Sequence, residues 1–420
     1  MSKAFINEST LTDIADAIRS KTGGNSTYLP SEMAAAIESI STKPLEPKAV
    51  NFYDYDGTLI YSYTKSEAMA LTELPPFPTN HENLVGESYN WTLDEIKYNL
   101  SAVCGTQIDV ACFYITQDGL THMYVEVEPG KSSLNLQCVS LTSNSQLNWG
   151  DGSGSVTIQN YLRSFSHTYS VSATCVFDVV ITGGNNSTLS IGNNSSNIKS
   201  ITINFASNVS KYLTKFSCKQ TVSSSVYMSY NTQYSSSDVN FGWAKDFNLK
   251  YLPITRNALI SGAYAFQNNI NLEVVSIPPT ITTIPQYGFI NCVSLKNITI
   301  PATSATTILR TTCYPAQGLR TVATPPNVSF PGASNFNGCV GLTTAYINSP
   351  NMDSQMFYNC TNLKTLYVNS VTPPTGNANG AIPSSIQTIY IPIGTLADYQ
   401  ADSVWGTFSS KFVEIDFSTL

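Results

Sequence analysis

Residues 289–300 read FINCVSLKNITI, and the architecture of the back of this 420-residue chain depends on how that stretch is read. Its core, Leu295-Lys-Asn-Ile298-Thr-Ile300, recurs. Upstream stand Leu249-Lys-Tyr-Leu252-Pro-Ile254 and Leu272-Glu-Val-Val275-Ser-Ile277. Downstream follow Leu319-Arg-Thr-Val322, Leu342-Thr-Thr-Ala345-Tyr-Ile347, Leu363-Lys-Thr-Leu366-Tyr-Val368 and Ile386-Gln-Thr-Ile389-Tyr-Ile391. The leading residues are 21 to 24 apart. A fixed period of this size means stacked coils, each burying its apolar side only against its neighbours. Ile198-Lys-Ser-Ile201-Thr-Ile203 and the run near Val226 are read as earlier, worn coils.

Three residues before the leading Leu stand Cys292, Cys339 and Cys360, each preceded by Phe289, Phe336 or Phe357. A column of thiols suggests metal or disulfides. This one continues through Asn269 and Ala316, however, which predicts an inward ladder of small side chains instead. The pattern AF/GF-x-x-C-x-x-L-x-x-I-x-I-P resembles the BspA-like leucine-rich repeats over roughly 245–395. Ile391-Pro392-Ile393-Gly394, then Leu396, Tyr399, Trp405, Phe408 and Phe412, reads as the cap that an open-ended solenoid needs, at 396–420.

Composition agrees with a β-rich chain. Charged residues are 12%, about half the usual share, and the net charge is −7. No basic block marks a nucleic-acid partner. No run of apolar residues is long enough to span a membrane. The start, MSKAFINESTLTDIADAIRS, lacks a signal-peptide core, so synthesis in a reducing cytoplasm without ordinary export is expected.

The middle, residues 106–184, alternates in short runs punctuated by Gly, Asp and Asn, which predicts an antiparallel sandwich. Trp149-Gly150-Asp151-Gly152-Ser153 with His167-Thr168-Tyr169 resembles the WxFGDG…HTY pattern of polycystic-kidney-disease-type domains. That resemblance implies a core Trp149, a turn-holding Asp151 and an anchoring Tyr169. One carboxylate falls far short of a calcium shell, and His167, His81 and His122 have no ligand-like neighbours in sequence.

Residues 50–105 form a hairpin-and-helix module. Asp54-Tyr55-Asp56-Gly57-Thr58 matches the signature that opens haloacid-dehalogenase-type phosphatases, where the first Asp attacks phosphorus. Here Asp56-Gly57 separates two alternating runs, the pattern of a hairpin tip. No Asp-Asp pair and no strand–helix alternation follow. Trp91-Thr92-Leu93-Asp94-Glu95-Ile96 predicts a short helix.

Residues 1–43 predict a helical attachment head. Thr10 with Asp13 fits a capping box, and Leu11, Ile14 and Ile18 make one stripe. Gly23-Gly24-Asn25 stops that helix, Pro30-Ser31 opens the next, and Met33, Ile37 and Ile40 line its apolar side before a Pro-containing linker.

The fold expected is therefore mainly β and multidomain, with an N-terminal helical hairpin, a β-sandwich middle and a leucine-rich-repeat solenoid over 185–395. The order of head, hairpin and repeat tail resembles phage tail-fibre or baseplate proteins. That resemblance implies a virion tail protein, a head at 1–43 that binds other tail subunits, a homo-oligomer, and a distal end that touches host-surface polysaccharide or protein. The alternative is a bacterial cell-surface leucine-rich-repeat adhesin. Tyr227, Tyr230, Tyr234 and Trp243, set among amides, are candidate ligand-binding residues or, equally, ladder residues. No catalytic constellation, metal set or cofactor motif is visible, so a non-enzyme is expected.

Overall fold

A computed structural model describes residues 46–140, 145–158, 163–182, 187–191, 198–204, 222–229, 250–254, 256, 263–302, 307–308, 312–376 and 378–420. Residues 137–140, 187–191, 222–229 and 378–379 are described by backbone alone. The head expected at 1–43 and three of the candidate residues, Tyr230, Tyr234 and Trp243, lie outside these segments. Lys48–Leu420 is one structural unit.

The front module comprises β1 (Lys48–Tyr53), β2 (Leu59–Thr64), helix α1 (Lys65–Ala70), β3 (Leu84–Tyr89), helix α2 (Leu93–Ala102) and β4 (Ile108–Thr116). Asp56-Gly57 is the tip of the β1–β2 hairpin, as the sequence predicts, with Gly57 at φ +83°. That conformation is costly for any residue with a Cβ. The tip also abuts the first described solenoid coil, where a Cβ on Gly57 would stand 2.7 Å from the Cβ of Tyr251. Both helices open on reciprocal capping boxes, Thr64 with Glu67 and Thr92 with Glu95.

The sheet order is β2-β1-β4-β3. Two expectations need correction here. β4 belongs to this module and not to the sandwich, so the boundary at 105/106 falls in the wrong place. β4 also runs parallel to β1, pairing Phe52 with Val110, although the sequence shows no regular strand–helix alternation. The single crossover through β3 and α2 suffices for one parallel pair, because it carries the chain back to the starting edge.

The sandwich contains β5 (Thr121–Val127), β6 (Ser133–Ser140), β7 (Ser145–Asn148), β8 (Ser155–Ile158), β9 (Arg163–Thr168), β10 (Cys175–Thr182), β11 (Ser187–Ile191), β12 (Ile198–Asn204) and β13 (Val222–Ser229). Its sheets run β13-β12-β5-β10-β7-β8 and β11-β6-β9. Trp149 and Tyr169 are buried, and the Tyr169 hydroxyl donates to the Trp149 carbonyl at 3.1 Å. Asp151 accepts from the Ser153 amide and hydroxyl and pairs with His167 at 2.7 Å, so its turn role is met.

β11, β12 and β13 pair within the sandwich sheets, so the solenoid does not begin at 185. The repeat-like reading of 198–203 still has a basis. β12 and β13 are parallel, with Ile198 opposite Val222 and Ile201 opposite Val226, close to one coil apart in sequence. The apolar period is a coil's, but the other edge of β12 is taken by β5 in antiparallel register.

From β14 onward the chain is a solenoid. β14 (Tyr251–Pro253), β15 (Val274–Ser276) and β17 (Asn297–Ile298) stack in parallel. So do β19 (Thr321–Thr324), β20 (Thr344–Ile347), β21 (Thr365–Val368), β22 (Thr388–Pro392) and β23 (Phe412–Ile415). A narrower ladder joins β16 (Thr283–Ile284) to β18 (Thr307–Ile308). Helix α3 (Ala378–Ala381) precedes β22, and helix α4 (Leu396–Ala401) opens the cap.

Inside the described coils the leading Leu272, Leu295, Leu319, Leu342, Leu363 or Ile386 and the aliphatics that follow it at the inward positions are buried. The cysteine column is also buried, as predicted. Each thiol donates to a carbonyl of the coil before it: Cys292 to Phe266 at 3.2 Å, Cys339 to Cys313 at 3.0 Å and Cys360 to Phe336 at 3.1 Å. Burial raises the Cys292 thiol to about 12, so it stays a neutral donor. The phenylalanine column stacks in pairs, Phe266 on Phe289 and Phe336 on Phe357. Cys313 occupies the Phe position of the intervening coil.

Opposite the strands, backbone bonds tie coil to coil, as from the Phe289 amide to the Thr312 carbonyl at 2.8 Å. Four of the described bends there use a left-handed residue, Asn268, Asn291, Gly338 or Asn359, all at φ between 60° and 69°, while the coil between Asn291 and Gly338 has Pro315 at that position. Asn and Gly are the residues that adopt this geometry with least strain.

Candidate functional site

Parallel sheets are stable with both faces covered. The inner face of the solenoid sheet is covered by the coil core. What covers the outer face changes along the solenoid, and that change defines the candidate site.

Over the first coils the cover is the front module. Asn90, fully buried, donates from Nδ2 to the Ile254 carbonyl at 2.9 Å and the Ser276 hydroxyl at 2.8 Å, while its Oδ1 accepts from the Ala111 amide. The Trp91 indole donates to the Ile277 carbonyl at 3.0 Å. Asn297 reaches the Asp109 carboxylate at 2.7 Å, and Thr299 donates to the Gln107 carbonyl at 2.7 Å. Arg256 grips Glu95 through two bonds of 2.6 and 2.8 Å. Further along, Asn348 pairs with both backbone groups of Cys104 at 3.1 Å. Outward residues of the early coils are therefore polar because they bond to the module's edges.

Beyond this seam the same outward position carries tyrosines. Tyr346 pairs with Tyr367, Tyr367 with Tyr390, and Tyr390 with Val413. The rings stack with centroids 4.6 Å apart, at 10° and then 20° between planes. Two residues earlier on each strand lies a threonine, giving a parallel column Thr344, Thr365, Thr388. Gly105 of the module rests on the first ring, where an added Cβ would stand 2.2 Å from Tyr346. Phe417 meets Tyr367 edge-on from the other side, at 6.4 Å and 88°. Together the Thr and Tyr columns present a row of half-buried hydroxyls and ring edges. Burial raises the Tyr346 phenol to about 12 and also raises Tyr367.

Of the residues singled out from sequence, Tyr227 lies on β13, which pairs with β12 of the sandwich. Tyr346, Tyr367 and Tyr390 are not among the residues singled out from sequence. The signal was present, since TAYI, TLYV and TIYI place Thr and Tyr in one register in three successive repeats.

The Asp-x-Asp motif is engaged in its own turn. Asp54 Oδ1 accepts from the Tyr55 amide and Asp56 Oδ1 from the Thr58 amide. The other Asp54 oxygen pairs with His81 at 2.7 Å. His122, without a ligand-like neighbour in sequence, has two carboxylates in space: Asp118 at 2.9 Å and Asp178 at 2.8 Å. The correction is physical: β5–β10 pairing brings Asp178 within reach across 56 residues.

These contacts make stability pH-dependent. Burial opposes charge on His122, but hydrogen bonds to Asp178 and Asp118 outweigh it and raise the ring's pKa. Its stabilisation is complete below the unfolded value and fades as pH rises through the folded one. Burial lifts Asp109 to about 6 against the pull of Asn297, Asn51 and Tyr53. Ionising it between its ordinary value and about 6 therefore also costs stability as pH rises. The hydrogen bond from Ser153 comes first in holding Asp151 down to about 2, so its contribution is lost only in stronger acid. The melting temperature is expected to peak near about pH 4, to fall as Asp109 ionises toward about pH 6, and to fall further toward about pH 8 as His122 loses its proton. Calorimetry on the H122Q/D109N double variant should show a flatter fall. An unchanged slope would assign the pH dependence to other groups.

Fold and face together define the class as a β-rich protein with a leucine-rich-repeat solenoid. Residues 240–364 match the repeat family described as BspA type leucine rich repeat region, in six copies. Among solved structures, the pneumococcal vaccine antigen PcpA is similar at 20% identity over 39% of this chain and 40% of that one, with a TM-score of 0.33. The chain thus spans about two fifths of the length of that antigen. A leucine-rich repeat protein from Bacteroides ovatus is similar at 15% identity over 52% of this chain and 76% of its own, with a TM-score of 0.19. No curated protein matches the chain.

Proposed function

We propose that this is a non-catalytic, adhesin-like binding protein whose solenoid presents its outer sheet face to a surface partner. The observation that carries this reading is the change of cover along one continuous face, sealed by the module over the early coils and open in the late ones. A rigid solenoid binds with little reorganisation, which favours recognition by an extended surface. The repeat match supports the cell-surface adhesin setting better than the phage-tail one. The tail setting, with attachment through residues 1–43 and assembly into an oligomer, rests on the resemblance of the head and hairpin segments alone and gains no support from the comparisons.

The test is binding of the labelled full-length chain to intact bacterial cells and to animal cells. Saturable binding to one of them is expected, with unlabelled protein competing. Absence of saturable binding to every cell type would defeat the proposal. Restriction to a few bacterial strains would favour the tail setting over the adhesin one.

A further inference from the structure

We infer that the outer face of the late solenoid sheet, lined by Thr344, Thr365, Thr388 and Tyr346, Tyr367, Tyr390, takes an uncharged polysaccharide chain laid across successive coils. This rests on the binding-protein reading above and names its ligand class.

Chemistry sets the class. None of these six side chains is ionisable near neutrality, and each ends in a hydroxyl. An apolar helix or peptide face would bury these hydroxyls without partners, at a desolvation cost for each. A polyanion would meet Lys364 beside this face but a chain of net charge −7 behind it. A polymer of hydroxyls satisfies both columns and repels neither.

Geometry sets the mode. The ring faces of Tyr346, Tyr367 and Tyr390 stack on one another and Gly105 covers Tyr346, so they are closed to sugar stacking except at the Tyr390 end of the row. What points outward is a line of phenol hydroxyls and ring edges, repeating every 4.6 Å. A repeating ligand can meet equivalent rungs, so modest contacts sum along the chain. At the strand exits of the same two coils stand Val371 and Ile393, 71% and 69% exposed. Exposed aliphatics of this kind suit the C–H faces of sugar rings. Gly105 closes the Tyr346 end of the row and Phe417 meets Tyr367 edge-on, so both border the site.

The test is affinity electrophoresis of the full-length protein through gels containing xylan, mixed-linkage β-glucan, mannan or dextran, with polygalacturonate as the acidic comparison. Retardation by at least one neutral polymer is expected. It should change less than about twofold when NaCl is raised to about 0.5 M, because no ion pair is screened. Thr365→Glu and Tyr367→Ser should each weaken it about tenfold or more. Thr365→Glu leaves the ring stack in place, and an unchanged melting temperature would show that the fold survives. The inference is overturned if no neutral polymer retards the protein. It is likewise overturned if both variants migrate as wild type, or if only polygalacturonate retards it and salt abolishes the effect. Cell binding that persists while every neutral polymer fails would sink the ligand class and leave the adhesin-like reading standing.

Discussion

Asn90→Leu is expected to lower stability by about 3 kcal/mol or more and to loosen the front module from the solenoid. Leucine matches asparagine roughly in size, so little space is lost. What is lost is the hub of the seam. The Ala111 amide, the Ile254 carbonyl and Ser276 all bond to the Asn90 amide in a region closed to water. Leaving buried partners unmatched costs about 1–3 kcal/mol for each, and three depend on one side chain. Equilibrium urea unfolding would measure the loss. Hydrogen exchange would locate it, with β4 and β15 opening before the late coils. A loss under about 1 kcal/mol would show that the module is held by its apolar contacts and not by this network.

Trp405→Ala is the second large effect, at about 3–5 kcal/mol. The indole is buried at the end of the solenoid, packs edge-on to Tyr399 and donates to the Pro374 carbonyl at 2.9 Å. Removing it opens a cavity and leaves that carbonyl unpaired. In a structure where each coil touches only its neighbours, the damage should spread from the cap inward. Exchange should rise in β23 and β22 first, then in β21, while β14 and β15 under the module stay protected. Uniform exposure of all coils would show that cap and seam unfold together. Any loss of surface binding should then follow the loosening of β21 and β22, which carry Tyr367 and Tyr390.

The solenoid was legible because its signal is periodic and local. A Leu at fixed intervals, two aliphatics after it and a small residue before it already define an inside, and burial follows. The hairpin tip at Asp56-Gly57 and the helix after Thr92 were legible for a similar reason, since each rests on chemistry within about a turn of chain, whereas the roles of Trp149, Asp151 and Tyr169 followed from the resemblance of their motif. The boundaries at 105/106 and 184/185 were not. Alternation says which side chains share a face and nothing about which strand lies alongside. β4 could as well have joined the sandwich by its pattern, and β12 could have been a coil.

The candidate site divides along the same line. That Tyr346, Tyr367 and Tyr390 share a register could be read from three repeats. That Tyr367 and Tyr390 stay half-exposed while Ser276, Asn297 and Thr299 are sealed could not, because the cover comes from residues some 190 positions away in sequence. The sequence by itself determined the repeat, its inward ladder and the turns that close each coil, since these follow from side-chain volume and backbone strain within one period. Only the tertiary structure decided which strands became neighbours and which part of the sheet stayed open, since both depend on hydrogen bonds between segments that meet only after folding.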